Sequence, residues 1–162
     1  MEIAAIILAA GHGNRLNSAL PKPLHHVGGR PMLAWSLDAA RAADASRVIT
    51  VIPKKSENII AWLNGQESCV QDPPRGTGHA VQAARSKLAD FHGVALVMFT
   101  DTPLVTASTL SNLVAAISDG NDIAVLGFEA KKPAGYGRLI TGADQCLKKI
   151  VEHKDATEIE RA

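Results

Sequence analysis

The stretch Ile3-Ala4-Ala5-Ile6-Ile7-Leu8-Ala9-Ala10-Gly11-His12-Gly13-Asn14-Arg15-Leu16 begins apolar and ends in turn chemistry, and Pro21-Lys22-Pro23 follows within a few residues. The apolar run reads as a core strand buried on both faces, as strands of parallel sheets are. Gly11 and Gly13 lack the Cβ that would hold a phosphate away from backbone N–H groups. Arg15 and Lys22 bring the positive charge that the backbone lacks. A buried strand, a glycine turn and two cations, in that order, suit a nucleoside triphosphate.

Outward from this stretch, short β-branched runs alternate with segments of helical period. Ile3 to Leu8, Arg47 to Ile52, Cys69 to Gln71, Val94 to Thr100 and Ile123 to Phe128 are predicted strands, mostly apolar on both faces. Leu110, Leu113, Val114 and Ile117 form one helical stripe. Pro31 to Ala43 and Thr77 to Leu88 are further predicted helices, with Pro31 in a first turn and Thr77 as an N-terminal cap. Near the C-terminus, Arg138 to Thr141 and Cys146 to Val151 are expected to pair as a hairpin around Gly142-Ala143-Asp144. The alternation predicts a three-layer, Rossmann-like α/β domain with a mainly parallel sheet, and ligands in such sheets sit beyond the carboxyl ends of the strands. Gly11, Gln71 and Asp101 are all placed there.

A chain of 162 residues, 46% hydrophobic and 20% charged, is expected to form one globular domain over residues 1–162. Seventeen basic and 16 acidic side chains leave a net charge of +1, which gives no reason to expect nucleic acid or a membrane surface as partner. Cys69 and Cys146 have no metal-ligand spacing and fit a reducing cytoplasm. Glu2 and the short apolar run argue against a signal peptide. The six histidines, His12, His25, His26 and His79 among them, also lack ligand spacing, and most are expected to be solvated or structural.

A glycine turn after a strand is a weak signal by itself, since turns use glycine for structural reasons too. Two common phosphate loops are nevertheless testable by residue. A dinucleotide loop needs a third glycine where Leu16 stands and an acid after the second strand, where the chain has Ile52-Pro53-Lys54. A Walker loop needs Gly-Lys-Ser or Gly-Lys-Thr, which does not occur. What remains is a glycine loop served by Arg15 and Lys22.

Leu8-Ala9-Ala10-Gly11-His12-Gly13-Asn14-Arg15-Leu16 with Pro21-Lys22 resembles the signature of the sugar-phosphate nucleotidyltransferases. Within them the chain looks most like the uridyltransferase domain of the bacterial N-acetylglucosamine-1-phosphate uridyltransferases. Leu20-Pro21-Lys22-Pro23-Leu24-His25, Gly76-Thr77-Gly78-His79-Ala80, Thr100-Asp101-Thr102-Pro103-Leu104, Gly135-Tyr136-Gly137-Arg138 and Ile150-Val151-Glu152-His153-Lys154-Asp155-Ala156 carry the likeness in the family's order. The resemblance implies UTP and N-acetylglucosamine 1-phosphate as substrates, UDP-N-acetylglucosamine and pyrophosphate as products, and Mg²⁺ as cofactor. It implies Arg15 and Lys22 on the phosphates and Asp101 on the metal. It also implies Leu8, Ala9, Ala10, Gly11, Gly13, Gln71, Gly76 and Thr77 on the nucleotide, and Phe99, Thr100, Gly137 and Glu152 on the sugar. A side-chain amide such as that of Gln71 suits the imide edge of uracil, because it both donates and accepts.

The chain departs from the pattern in two places. The family usually has Tyr-Gly-Asp where Phe99-Thr100-Asp101 stands, so a hydroxyl is lost and a Cβ is added beside the expected sugar site. Family members also continue beyond the point corresponding to Ala162, so the sugar half is expected to be incomplete and the β-helical acetyltransferase domain absent. Two alternatives to the uridyltransferase reading stay open, another sugar-phosphate or cofactor nucleotidyltransferase and a noncatalytic UTP-binding fragment, and self-association through uncovered apolar surface is expected.

Overall fold

The computed structural model describes residues 1–161 other than 12, 14 and 15. Contacts divide the chain into two compact units, Met1–Ala124 and Val125–Ala162.

The first unit is built on β1 (Glu2–Leu8), whose backbone pairs in parallel with a strand on each side. After β1 come a 3₁₀ turn (Lys22–Leu24), a two-residue ribbon of β2 (His26–Val27) and β3 (Arg30–Pro31), and α1 (Met32–Ala42). Then follow β4 (Arg47–Pro53), α2 (Glu57–Leu63), β5 (Ser68–Gln71), α3 (Thr77–Ala83), β6 (Gly93–Phe99) and α4 (Ala107–Ser118). The sheet order is β5-β4-β1-β6, all parallel. From β1 the chain steps outward twice to β5, then crosses back over β1 to β6. Crossovers of one hand must then lie on opposite faces of the sheet.

The side chains follow that reversal. Ala5, Ile7 and Ala9 face a core shared with Leu33 and Leu37 of α1, Ile59 and Leu63 of α2, and Leu110 of α4. Ile6, Leu8 and Ala10 face the opposite core, with Ile49, Val51 and the α3 residue Ala80. The expected three layers are therefore present, and β1 is buried on both faces as predicted. Complete burial of a side chain such as Ile7 or Leu33 stabilises the fold by about 1.5–3 kcal/mol.

Several expectations need correction. On β6 burial alternates, with Val94, Leu96 and Met98 buried while Val97 and Phe99 stay exposed. The reason is that α3 lies against β1, β4 and β5, and so leaves that face of β6 uncovered. The segment Ile123 to Phe128 forms no strand, because strand propensity supplies no partner backbone; Ile123 and Phe128 are solvent-exposed. The helix expected from Thr77 to Leu88 stops at Ala83 and continues as a 3₁₀ turn from Arg85 to Leu88. Its N-cap is Gly76, at φ 91°, a conformation that glycine adopts without strain, and Thr77 is the first helical residue rather than the cap. Pro31 likewise stands one position before α1, as its N-cap.

In the second unit the predicted hairpin forms. β7 (Arg138–Thr141) pairs antiparallel with β8 (Leu147–Val151), and α5 (Glu158–Arg161) follows. Arg138 ties this unit together, its guanidinium donating to the carbonyls of Pro133, Tyr136 and Arg161.

Candidate active site

The crossing from β5 to β6 opens a crevice at the carboxyl ends of the strands, where parallel sheets receive ligands. A cleft of about 220 Å³ lies there. Leu8 ends β1, Gln71 ends β5 and Phe99 ends β6, and each lines it. Ala10, Gly11, Lys22, Gly76, Thr77, Thr100 and Asp101 line it too. Residues far apart in sequence thus share one site because parallel strands end on the same side.

The anionic and cationic groups of the cleft meet directly. Lys22, on the 3₁₀ turn, donates from Nζ to Asp101 Oδ2 at 2.6 Å. Both side chains keep solvent access, at 28% and 46%. Gly13 sets the stem of Lys22: at φ 61° it packs so closely that a Cβ there would lie 2.8 Å from Lys22 Cβ. Glycine is required at that point by conformation and by space.

The floor is fixed by backbone. Ala9 N–H donates to Val51 O at 2.8 Å and extends the β1 ladder, so Ala9 is buried beneath the cleft rather than lining it. Thr100, also buried, donates its hydroxyl to Leu8 O at 3.4 Å and ties the ends of β1 and β6 together. The added Cβ of this residue therefore comes with a hydroxyl turned into the fold. Phe99 remains 44% exposed.

At the other end of the cleft, Gln71 is 5% exposed. Its amide nitrogen donates to Gly76 O at 2.9 Å and lies 3.3 Å from His79 Nδ1. Asp72, next to Gln71 in the chain, accepts from the Lys54 ammonium at 2.7 Å. The hydrogen bond and charge of Asp72 push the Lys54 pKa upward.

Arg15 lies outside the described residues. Gly137 and Glu152 belong to the second unit; Gly137 packs near Val151 O, and Glu152 is exposed while its carbonyl accepts from Asp155 and Ala156 N–H. Pro74, Ala80 and the His79 contact were not anticipated. Ala80 and His79 sit inside Gly76-Thr77-Gly78-His79-Ala80, where the helical step from Gly76 was the available signal.

Among the described residues no three His, Cys, Asp or Glu side chains come together as a metal cage. Asp101 offers a hard carboxylate oxygen at the mouth of the cleft, with a cationic amine already against it. One carboxylate together with phosphate oxygens and water is how Mg²⁺ is ordinarily held, so the donor set fits a substrate-borne divalent cation. Among the described residues no helix is long and apolar enough to cross a membrane.

Over residues 5–161 the chain matches the family described as MobA-like NTP transferase domain. It is 50% identical over 161 residues to the bifunctional protein GlmU of Maricaulis maris, an alignment covering 98% of this chain and 36% of that one. The chain spans about a third of the length of the curated relatives it matches. A crystal structure of Rv0371c from Mycobacterium tuberculosis H37Rv in complex with manganese is similar in fold, with a TM-score of 0.56 and 23% identity, over 74% of this chain and 61% of that one. A Bacillus anthracis structure assigned as a glucose-1-phosphate thymidylyltransferase, in complex with a sucrose, covers 93% of this chain and 64% of its own, with a TM-score of 0.74 and 18% identity. These two likenesses are of fold.

Proposed function

The chain belongs to the family of MobA-like NTP transferase domains, and from that premise we propose that it transfers a uridylyl group from UTP to N-acetylglucosamine 1-phosphate. The products are UDP-N-acetylglucosamine, a precursor for cell-wall and lipopolysaccharide synthesis, and pyrophosphate. The observation that carries this proposal is the joining of Lys22, Asp101 and Gln71 in one cleft at the carboxyl ends of the strands. The resemblance of the motifs to the uridyltransferases supports the choice of nucleotide and sugar.

In the transfer, a phosphate oxygen of the sugar 1-phosphate forms a bond to the α-phosphorus, and the bond from that phosphorus to the oxygen bridging the α- and β-phosphates breaks, that oxygen leaving with pyrophosphate. No protein nucleophile is needed. Catalysis is then alignment of two anions and neutralisation of charge as it gathers on the leaving oxygens. Lys22 serves that charge, with Arg15 as the second cation. Leu8, Ala10 and Gly11 offer close backbone approach to the nucleotide, with Gly13 holding the Lys22 stem, while Gln71, Gly76 and Thr77 receive the base side. Ala9 supports these from below. Phe99, Thr100, Gly137 and Glu152 are assigned to the acceptor sugar on the strength of the motif resemblance.

Asp101 would hold Mg²⁺, and a bound Mg²⁺ supplies charge neutralisation and in-line orientation of the triphosphate. With Asp101 so engaged, Lys22 would be free to donate to a phosphate oxygen instead of the carboxylate. The manganese of the Rv0371c complex supports a divalent cation in this fold. The free thiols of Cys69 and Cys146 support a cytoplasmic setting, and the exposed apolar face of β6 at Val97 supports self-association.

Pyrophosphate release tests the proposal. Purified chain is expected to release pyrophosphate from UTP only when N-acetylglucosamine 1-phosphate and Mg²⁺ are both present. Release from a different triphosphate or sugar phosphate, with none from this pair, would overturn it.

A further inference from the structure

Lys22 is carried by a loop that has little core of its own. None of the described residues from 11 to 20 is buried. Anchorage begins at Pro23 and Leu24 of the 3₁₀ turn, which are buried, and at His25, whose carbonyl accepts the N–H of Met32 at 2.9 Å and so fastens it to the start of α1. From that fixed point the His25 ring reaches back across the turn, placing Nε2 3.0 Å from Leu20 O. A carbonyl can only accept, so Nε2 carries the hydrogen, as it does both in the imidazolium and in the neutral ring protonated there. Ser18 Oγ accepts the N–H of the same Leu20 at 3.1 Å. Both backbone polar groups of Leu20 are thus held by side chains, although its own side chain is exposed. The segment from Leu20 to His25 closes on itself with Lys22 inside it.

We propose that His25 is a positioning residue for Lys22, holding the segment from Leu20 to His25 so that the ammonium stays at the cleft when it leaves Asp101 for a phosphate. The inference rests on the nucleotide reading above and extends it to what keeps the cation in place. The Lys22–Asp101 bond cannot do this, because it is the bond given up on binding. Gly13 packs only against the stem of Lys22. A lysine side chain already loses much rotamer freedom when it is fixed, and freedom in the backbone beneath it adds to what a bound phosphate must order. The His25 bond removes part of that cost before the ligand arrives. His25 does not line the cleft, and so reaches the nucleotide only through Lys22.

Calorimetry with UTP on the full chain tests this. His25→Leu removes the donor. His25→Gln retains one, because Gln Nε2 stands as far along its side chain as His Nε2 does. In His25→Leu, UTP affinity is expected to fall on the order of threefold to tenfold, the effect of about one hydrogen bond, and His25→Gln is expected to restore most of it. In a Lys22→Ala background, His25→Leu is expected to change UTP affinity by no more than about twofold, since the residue it serves is gone. Wild-type affinity in His25→Leu, an equal loss in His25→Gln, or an undiminished effect of His25→Leu in the Lys22→Ala background overturns the inference. Should thermal melts show His25→Leu unfolded, His25→Met, which also lacks a donor, is read in its place; unfolding of both overturns positioning in favour of a purely structural role. Failure of the wild-type chain to bind UTP defeats the nucleotide reading itself, an outcome separable from the behaviour of the variants.

Discussion

Lys22 Nζ and Asp101 Oδ2 lie 2.6 Å apart across 79 residues of chain, closing the loop after β1 onto the loop after β6. Both side chains are partly solvated, so the pair contributes only about 0.2–1 kcal/mol to folding. The same geometry leaves a cation on the carboxylate assigned to the metal. The pair is therefore better suited to exchanging partners than to holding the fold.

Asp101→Ala is expected to separate those roles. Thermal unfolding should shift little, whereas Mg²⁺-stimulated pyrophosphate release should drop on the order of a hundredfold or more. A titration of Mg²⁺ against rate checks it, and a variant that saturates with Mg²⁺ as the wild type does would remove Asp101 from the metal site.

Gly13→Ala should injure nucleotide binding through Lys22. The new methyl group would lie 2.8 Å from Lys22 Cβ, on a backbone at φ 61° that alanine resists. We expect UTP affinity to fall about tenfold, part of the loss expected in Lys22→Ala. Calorimetry on the single and double variants measures this, and additive losses would show that Gly13 does not act on Lys22.

Leu33→Ala tests the core separately from the site. Leu33 is fully buried among Ile7, Leu37 and their neighbours, so its truncation should cost about 2–5 kcal/mol. Urea unfolding should show that loss, while UTP affinity measured under conditions where the protein remains folded stays unchanged.

The second unit should carry its own acid sensitivity. Bonds from Lys149 and from the N–H and hydroxyl of Thr157 hold the Glu160 carboxyl down to about 2, below its usual 4.5. A carboxylate depressed on folding stabilises above its unfolded pKa, and that stability is lost as pH falls from 4.5 toward 2. Hydrogen exchange of residues 138–161 should show the loss over that window. Glu160→Gln should flatten it.

What was legible in the linear chain was local. A run such as Ile3 to Ala10 can satisfy itself only as a buried strand, a glycine turn announces close backbone approach, and helical spacing marks Leu110, Leu113 and Val114 as one face. These depend on neighbours a few residues away, so the parallel α/β class and the residue types of the cleft followed from them. Three-dimensional packing supplied the rest. The Lys22–Asp101 pair, the exposed face of β6 and the failure of Ile123 to Phe128 to form a strand all turn on partners distant in sequence. The Gln71 amide lies nearer to its partner in the chain, yet its direction depends on where the turn into α3 places Gly76 O. Chain pattern chooses which groups are available; folding chooses which of them meet, because hydrogen bonds and ion pairs act over a few ångströms.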